Sequence, residues 1–267
     1  MTGTGTVDTE GAAIAYDYEG DGPVLLTITG AGGAAMTFAP LAHILADEYT
    51  VVRYDRRGNS RSSGDVSVGL DMAQSARDAA AVIHAMRVEK AYVFGNSGGA
   101  NISLKLAEDL PDVIAGLVVH EPPVVAILPD AETQLGFVQQ VHDAYLAQGL
   151  RAAMPLFAGS LVGFDPPPPG PGAGMAPGPN MDFFMSKEFV PISTFVPNLD
   201  AIARNHVSMV TAAGRRSAEA YYARTARLIA ERLGCPYVDF PGNHLAFMND
   251  SVAFAAALRE VLHRLAK

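Results

Sequence analysis

One serine constrains the fold of this chain more than any other residue. Ser97 sits in Gly95-Asn96-Ser97-Gly98-Gly99, where a strand-like apolar run over 92–94 stops and apolar residues at helical spacing resume over 100–110. Flanking glycines let a backbone turn sharply enough to lift a hydroxyl clear of a strand end. The same G-x-S-x-G form also suits a turn that only packs helix on strand, or one that cradles a phosphate. A phosphate loop would place a lysine near the helix start, whereas Ala100-Asn101-Ile102-Ser103 follow here.

The strand-to-helix step recurs along the chain. Strand-like segments are expected at 12–18, 23–29, 49–54, 114–119, 207–211 and 237–240. Helical patterns are expected at 38–46, 72–86 with Asp71 near the start, 217–233 and 252–265. Such alternation predicts an α/β fold, a mostly parallel, doubly wound sheet with helices on both faces. The Gly-Asp-Gly turn at 20–22 reads as an antiparallel hairpin joining the first two strands. From Pro122 to Asp200 the rhythm breaks into a helix around 137–147, a Pro/Gly-rich stretch over 166–179 and a Phe/Met-rich stretch. A core of 1–121 and 201–267 with a helical cap inserted at 122–200 is therefore expected.

Bulk properties narrow the partners. A net charge of −9 disfavours nucleic acid and anionic membrane surfaces, which need clustered Lys and Arg. Cys235, the single cysteine, allows neither an intrachain disulfide nor a thiolate metal cluster. The start Met1-Thr2-Gly3-Thr4-Gly5 lacks a signal-peptide pattern and no apolar run reaches spanning length, so a cytoplasmic protein without a cofactor, acting on a small molecule, is expected.

A serine hydroxyl is a weak nucleophile at neutral pH and needs an imidazole within reach. His244 lies in Phe240-Pro241-Gly242-Asn243-His244, a strand end followed by turn residues and then the last helix. Loops on a rigid scaffold are where catalytic groups concentrate. His43, His84, His120, His142, His206 and His263 fall mostly on helices or strand edges and read as surface or packing residues.

With the serine turn, the histidine loop and Thr29-Gly30-Ala31-Gly32-Gly33 in view, the chain resembles the α/β-hydrolase superfamily over nearly its whole length. The resemblance implies that the amides of Ala31 and Gly98 form the oxyanion hole; Gly32 in the same turn is a candidate substrate contact. Asp55-Arg56-Arg57-Gly58-Asn59-Ser60-Arg61-Ser62 is similar to a turn of that superfamily and reads as scaffold, its charges satisfying one another and local backbone.

The acid that should orient His244 is missing from its commonest place. The loop after 207–211 reads Ala212-Ala213-Gly214-Arg215-Arg216-Ser217, with no carboxylate before Glu219, which is expected on the next helix. Glu121 ends the strand after the serine helix and would overhang the same sheet edge. Certain haloalkane dehalogenases and fungal zearalenone lactone hydrolases are similar in carrying their acid there, which implies that Glu121 is the acid. The residues alone also allow Glu121 a local ion pair, with Asp239, Asp250 or Glu219 as the acid. Serine in place of aspartate argues against alkyl-enzyme chemistry.

The expected reaction is hydrolysis of a hydrophobic ester or lactone. Peracid formation on the same groups, or ligand binding without catalysis, are the other readings. Phe157, Leu161, Phe183, Phe184 and Phe189 of the insertion are candidate substrate contacts, although such spacing also suits plain packing. The oligomeric state is not legible.

Overall fold

The computed structural model describes residues 1–164, 179–217 and 219–266. Among the described residues, eight strands form one sheet: β1 (Thr2–Thr9), β2 (Ala12–Glu19), β3 (Val24–Ile28), β4 (Thr50–Tyr54), β5 (Ala91–Asn96), β6 (Ile114–His120), β7 (Met209–Gly214) and β8 (Tyr237–Phe240). Their spatial order is β1-β2-β4-β3-β5-β6-β7-β8. Pairing is antiparallel from β1 through β2 to β4 and parallel from there on. Every residue of β3 is buried, as expected of a strand covered on both faces. Neighbouring residues serve opposite cores: Leu26, Val52 and Val93 face one, while Leu25, Val51 and Phe94 face the other.

Between β3 and β4 lies α1 (Ala39–Leu45), and between β4 and β5 lies α2 (Met72–Ala85), whose first turn is capped by Asp71 accepting from the Gln74 amide at 3.0 Å. The serine turn leads into α3 (Gly98–Asp109). Among the described residues, five α-helices separate β6 from β7: α4 (Ala131–Gln148), α5 (Leu150–Gly159), α6 (Pro179–Phe183), α7 (Phe189–Thr194) and α8 (Leu199–Arg204). A wider π-type turn over Phe184–Glu188 joins α6 to α7. The Pro/Gly-rich stretch of 166–179 lies, up to 178, outside the described residues. The chain closes with α9 (Tyr221–Leu233) before β8, then α10 (Ala246–Asn249) and α11 (Ser251–Leu265).

The order of the first strands corrects the expectation of a hairpin at 20–22. β2 pairs with β1 and β4, and β3 lies between β4 and β5. The tight turn is instead Glu10-Gly11, where both residues take positive φ. β1 escaped the sequence reading because its Thr and Gly residues show no apolar face. A Cβ on Gly3 or Gly5 would come within 2.5 Å of the phenol groups of Tyr18 and Tyr16, which lie over the glycines they pair with. Glu219 precedes α9 rather than lying on it. No helix among the described residues is long and apolar enough to cross a membrane.

Candidate active site

Ser97 stands between β5 and α3 with φ 58° and ψ −129°, a conformation costly for a residue with a side chain. Close packing enforces it. A Cβ on Gly95 would lie 2.1 Å from Ser103 Oγ, and one on Gly99 would lie 1.9 Å from the carbonyl oxygen of Ile28. The glycines therefore let α3 close against both β5 and β3, and the corner left between them is Ser97. Its amide donates to the His120 carbonyl at 3.0 Å, tying the corner to the end of β6.

At that end Glu121 also takes positive φ, 51°. Two non-glycine residues in this region at adjacent strand ends form a cluster of strain, which is common at functional sites. Glu121 is fully buried and is held from β7 and from the loop after β8. Its amide donates to Ala212 O at 3.0 Å, its Oε1 accepts from the Gly214 amide at 2.8 Å, and its Oε2 lies 2.5 Å from His244 Nδ1. The Tyr222 ring packs on the imidazole at 4.4 Å between centroids. Glu219, Asp239 and Asp250 are all solvent-exposed.

Burial alone would push the Glu121 carboxyl up. The neighbouring His120, the hydrogen bond and charge of His244, and the Gly214 amide outweigh it and hold the group below its ordinary range. Burial dominates at His120 and pushes its imidazole down to about 4, so at neutral pH the ring is uncharged. It sits among Phe94, Phe240 and Phe254, and its Nδ1 lies 2.6 Å from Asn96 Oδ1 beside the serine. Near neutrality the carboxylate is thus supported by His244 and Gly214.

Ser97, Gly98 and His244 line one small cavity with Phe157, Leu161, Phe184 and Phe189, and with Pro123, Ile192, Ser193, Tyr221 and Tyr222. The three phenylalanine rings touch one another pairwise at 5.5–5.8 Å between centroids. Phe183 is not among them; it turns the other way, against Gly58. Gly32 is held from the insertion, its carbonyl accepting from Asn180 Nδ2 at 2.7 Å. Gly98 opens α3, so its amide has no partner within the helix. The turn carrying Ala31 presses on the serine corner: a Cβ on Gly30 would lie 2.7 Å from Ser97 Cβ and 3.0 Å from the Gly98 nitrogen.

The comparison with known families settles where this architecture belongs. A family model described as alpha/beta hydrolase fold matches residues 23–172, more than half of the chain. The chain belongs to the alpha/beta hydrolase fold family. It is 29% identical to the uncharacterized hydrolase YraK of Bacillus subtilis, over 97% of this chain and 96% of that one. It also resembles an alpha/beta hydrolase from Sphaerobacter thermophilus, with a TM-score of 0.70 and 26% identity over 97% of this chain and 100% of that one. A thermophilic esterase from Thermogutta terrifontis shares the fold at a TM-score of 0.76 and 17% identity, over 99% and 100% of the two chains.

Two features of this hydrolase escaped the sequence reading. Tyr221 and Tyr222 reach the cavity because they open α9 at the carboxyl edge of the sheet; an aromatic pair just after a strand end was the available signal. The second concerns the charged turn after β4. Asp55 does serve its own neighbourhood, accepting from the Ala35 amide and Arg61 Nε, while Ser62 Oγ donates to Asp55 O. Arg56, however, leaves the turn and pairs with Glu188 of the insertion, a partner too distant in sequence to be read from a local pattern. A roomier cavity of about 240 Å³ is lined by that pair together with Tyr54, Val68, Leu70 and Phe183, and it shares no lining residue with the cavity at Ser97.

Proposed function

We propose that this hydrolase cleaves a carboxylic ester or lactone of a hydrophobic substrate through an acyl-enzyme on Ser97. The observation that carries the reading is the contact of His244 Nδ1 with Glu121 Oε2 at 2.5 Å, in an imidazole that shares its cavity with Ser97. With Nδ1–H donated to the carboxylate, Nε2 is left with its lone pair free to accept a proton.

In this reading Ser97 Oγ attacks the carbonyl carbon as its proton passes to His244 Nε2, and the carbonyl π pair moves onto oxygen. The amides of Gly98 and Ala31 receive that oxyanion, each donor contributing about 3 kcal/mol to the transition state. The C–O bond to the leaving alcohol breaks as the imidazolium protonates it. Water then repeats the sequence on the acyl-enzyme, releasing the acid and restoring Ser97. Glu121 stays ionised throughout, because its carboxyl is held below the ordinary range. A carboxylate there offsets the imidazolium charge and fixes the tautomer.

The ring cluster of Phe157, Phe184 and Phe189 supports an apolar substrate. The space open to water over Ser97 is about 20 Å³, roughly one water's worth, so those rings turn aside to admit an acyl group. The test is a fluorophosphonate probe with p-nitrophenyl esters of graded chain length and a panel of lactones. Labelling at Ser97, an acyl-enzyme burst and loss of both in Ser97→Ala are expected. Turnover by Ser97→Ala at the parent rate would refute the mechanism, and a parent protein that neither labels nor turns over would mark a ligand-binding protein.

A further inference from the structure

We infer that Glu188 and Arg56 are positioning residues for the oxyanion hole, a clamp by which the insertion sets the turn that carries Ala31. The inference rests on the acyl-transfer reading for its consequence, while the clamp itself is geometric. Arg56 is 3% exposed and Glu188 is 1% exposed. Their pairing is bidentate, Nη1 to Oε1 and Nη2 to Oε2, both at 2.7 Å. Arg56 Nη2 also donates to the Gly30 carbonyl at 2.8 Å, and the Arg56 amide donates to the Gly33 carbonyl at 2.8 Å. Asn59 Nδ2 donates to Glu188 Oε1 at 3.0 Å, and its side chain fills the space where a Cβ on Gly33 would be.

Both ends of the glycine turn are therefore gripped by one arginine, and that arginine is aimed by a carboxylate from the insertion. The turn needs such help. Gly32 and Gly33 take positive φ, and a glycine-rich segment is conformationally free unless tied. Its own closing bond, Gly33 amide to Gly30 carbonyl, is long at 3.2 Å. Freed from Arg56, the Gly30 carbonyl would keep only that bond, and the Ala31 amide between them would lose its fixed direction. A donor must meet the oxyanion to within a few tenths of an ångström, and a misplacement of about 1 Å can cost on the order of 100-fold in rate.

A buried ion pair is weak evidence of stability, since matched apolar replacements often fold as well or better. That separates positioning from mere structure. The adjacent Arg57 pairs equally closely with buried Asp78, at 2.8 and 2.7 Å, but reaches α2 and the end of β1 rather than the turn. It is the matched control.

The experiment compares Arg56→Met/Glu188→Met with Arg57→Met/Asp78→Met. In the first, kcat is expected to fall about 10- to 100-fold with KM within about threefold. Affinity for a trifluoromethyl ketone, which forms a tetrahedral adduct, should fall in step. Amide exchange across 29–33, followed by mass spectrometry, should accelerate while the 95–99 segment does not change. The control pair should change neither kcat nor that exchange. Should the double replacement fail to fold, Glu188→Gln is used with the same readouts. Unchanged exchange over 29–33, or an equal kcat loss in the control pair, overturns the clamp. Faster exchange in the variant together with a parent that never labels at Ser97 upholds the clamp and overturns the acyl-transfer reading instead.

Discussion

The two sides of Ser97 are built differently. On one, Glu121 follows the end of β6 and His244 lies in the loop after β8; the Glu121 carboxylate accepts from the Gly214 amide of β7, and its backbone amide donates to the Ala212 carbonyl of the same strand. None of these bonds is made by a described residue of the insertion, which touches this side at its margin, where the Gly163 carbonyl accepts from Asn243 Nδ2 at 3.1 Å and the Val162 amide donates to the Tyr222 hydroxyl at 3.0 Å. On the other, a glycine turn after β3 takes its shape from Arg56, which takes its direction from Glu188 in the insertion. On the proposed mechanism, proton handling would be written into the sheet, whereas oxyanion stabilisation would depend on a segment that also walls the cavity. A family that varies its insertions can change substrate on the second side without disturbing the first.

The largest effect should come from the sheet side. Glu121→Gln keeps the shape but removes the charge opposite His244, and its amide can impose the wrong tautomer. A loss in kcat on the order of 10³- to 10⁴-fold is expected, measured on the ester that the graded screen selects. The parallel Glu219→Ala variant, altering an exposed carboxylate, should stay near the parent rate. The reverse pattern would move the acid away from β6.

His120 gives the next largest effect, on stability rather than rate. Its imidazole is ordinary in the unfolded chain and pushed down to about 4 in the fold, burial being the main cause. Between those values the unfolded chain binds a proton that the folded chain refuses, so stability rises with pH across the interval and is lost on acidification from about 6.5 to 4. The difference amounts to roughly 3 kcal/mol. His120→Gln does not titrate, and its amide can still donate to Asn96. Its stability, followed by urea unfolding, should fall less steeply over that interval than the parent's. Glu121, whose carboxyl is held low, adds stability that persists above its ordinary value and disappears only as the pH falls below it. Because His120 is one of the groups that hold the Glu121 carboxyl low, the comparison is read above that carboxyl's ordinary value, between about pH 5 and 6.5, where the carboxylate does not titrate.

The same contrast decides what could be read from the sequence. Strands buried on both faces are runs of Val, Leu and Ile, so the central sheet, and with it Ser97 and the strand end at Glu121, was visible as pattern. The order of strands was not, because pairing of β3 with β4 and β5 leaves no mark on Gly-Asp-Gly at 20–22. β1 was invisible because its interaction is supplied by Tyr16 and Tyr18 on its neighbour. In the insertion, aromatic spacing showed that something apolar was being covered, yet the direction of each ring depends on the helix it rides. Phe183 and Phe184 are consecutive and face different cavities where α6 passes into the π-type turn. Arg56 and Glu188 meet only after folding, so Arg56 reads as part of a locally satisfied scaffold turn and Glu188 carries no local signal.

The smallest effect belongs to the wall of the cavity. Phe157 touches both Phe184 and Phe189 but is less buried than either, so shortening it costs the fold less than shortening its partners. Phe157→Ala should enlarge the space over Ser97 without reaching Glu121, His244 or the clamp. Rates on short esters would then change little, while longer acyl chains gain. One extra methylene accommodated in an apolar pocket is worth about 1–3 kcal/mol, so the ratio of kcat/KM between a longer and a shorter ester should shift by about tenfold or more. A shift of that kind would place substrate choice on the insertion side of Ser97. An equal fall on all chain lengths would mean that Phe157 supports the catalytic geometry itself, and the division between the two sides would be less sharp than the bonds around Glu121 imply.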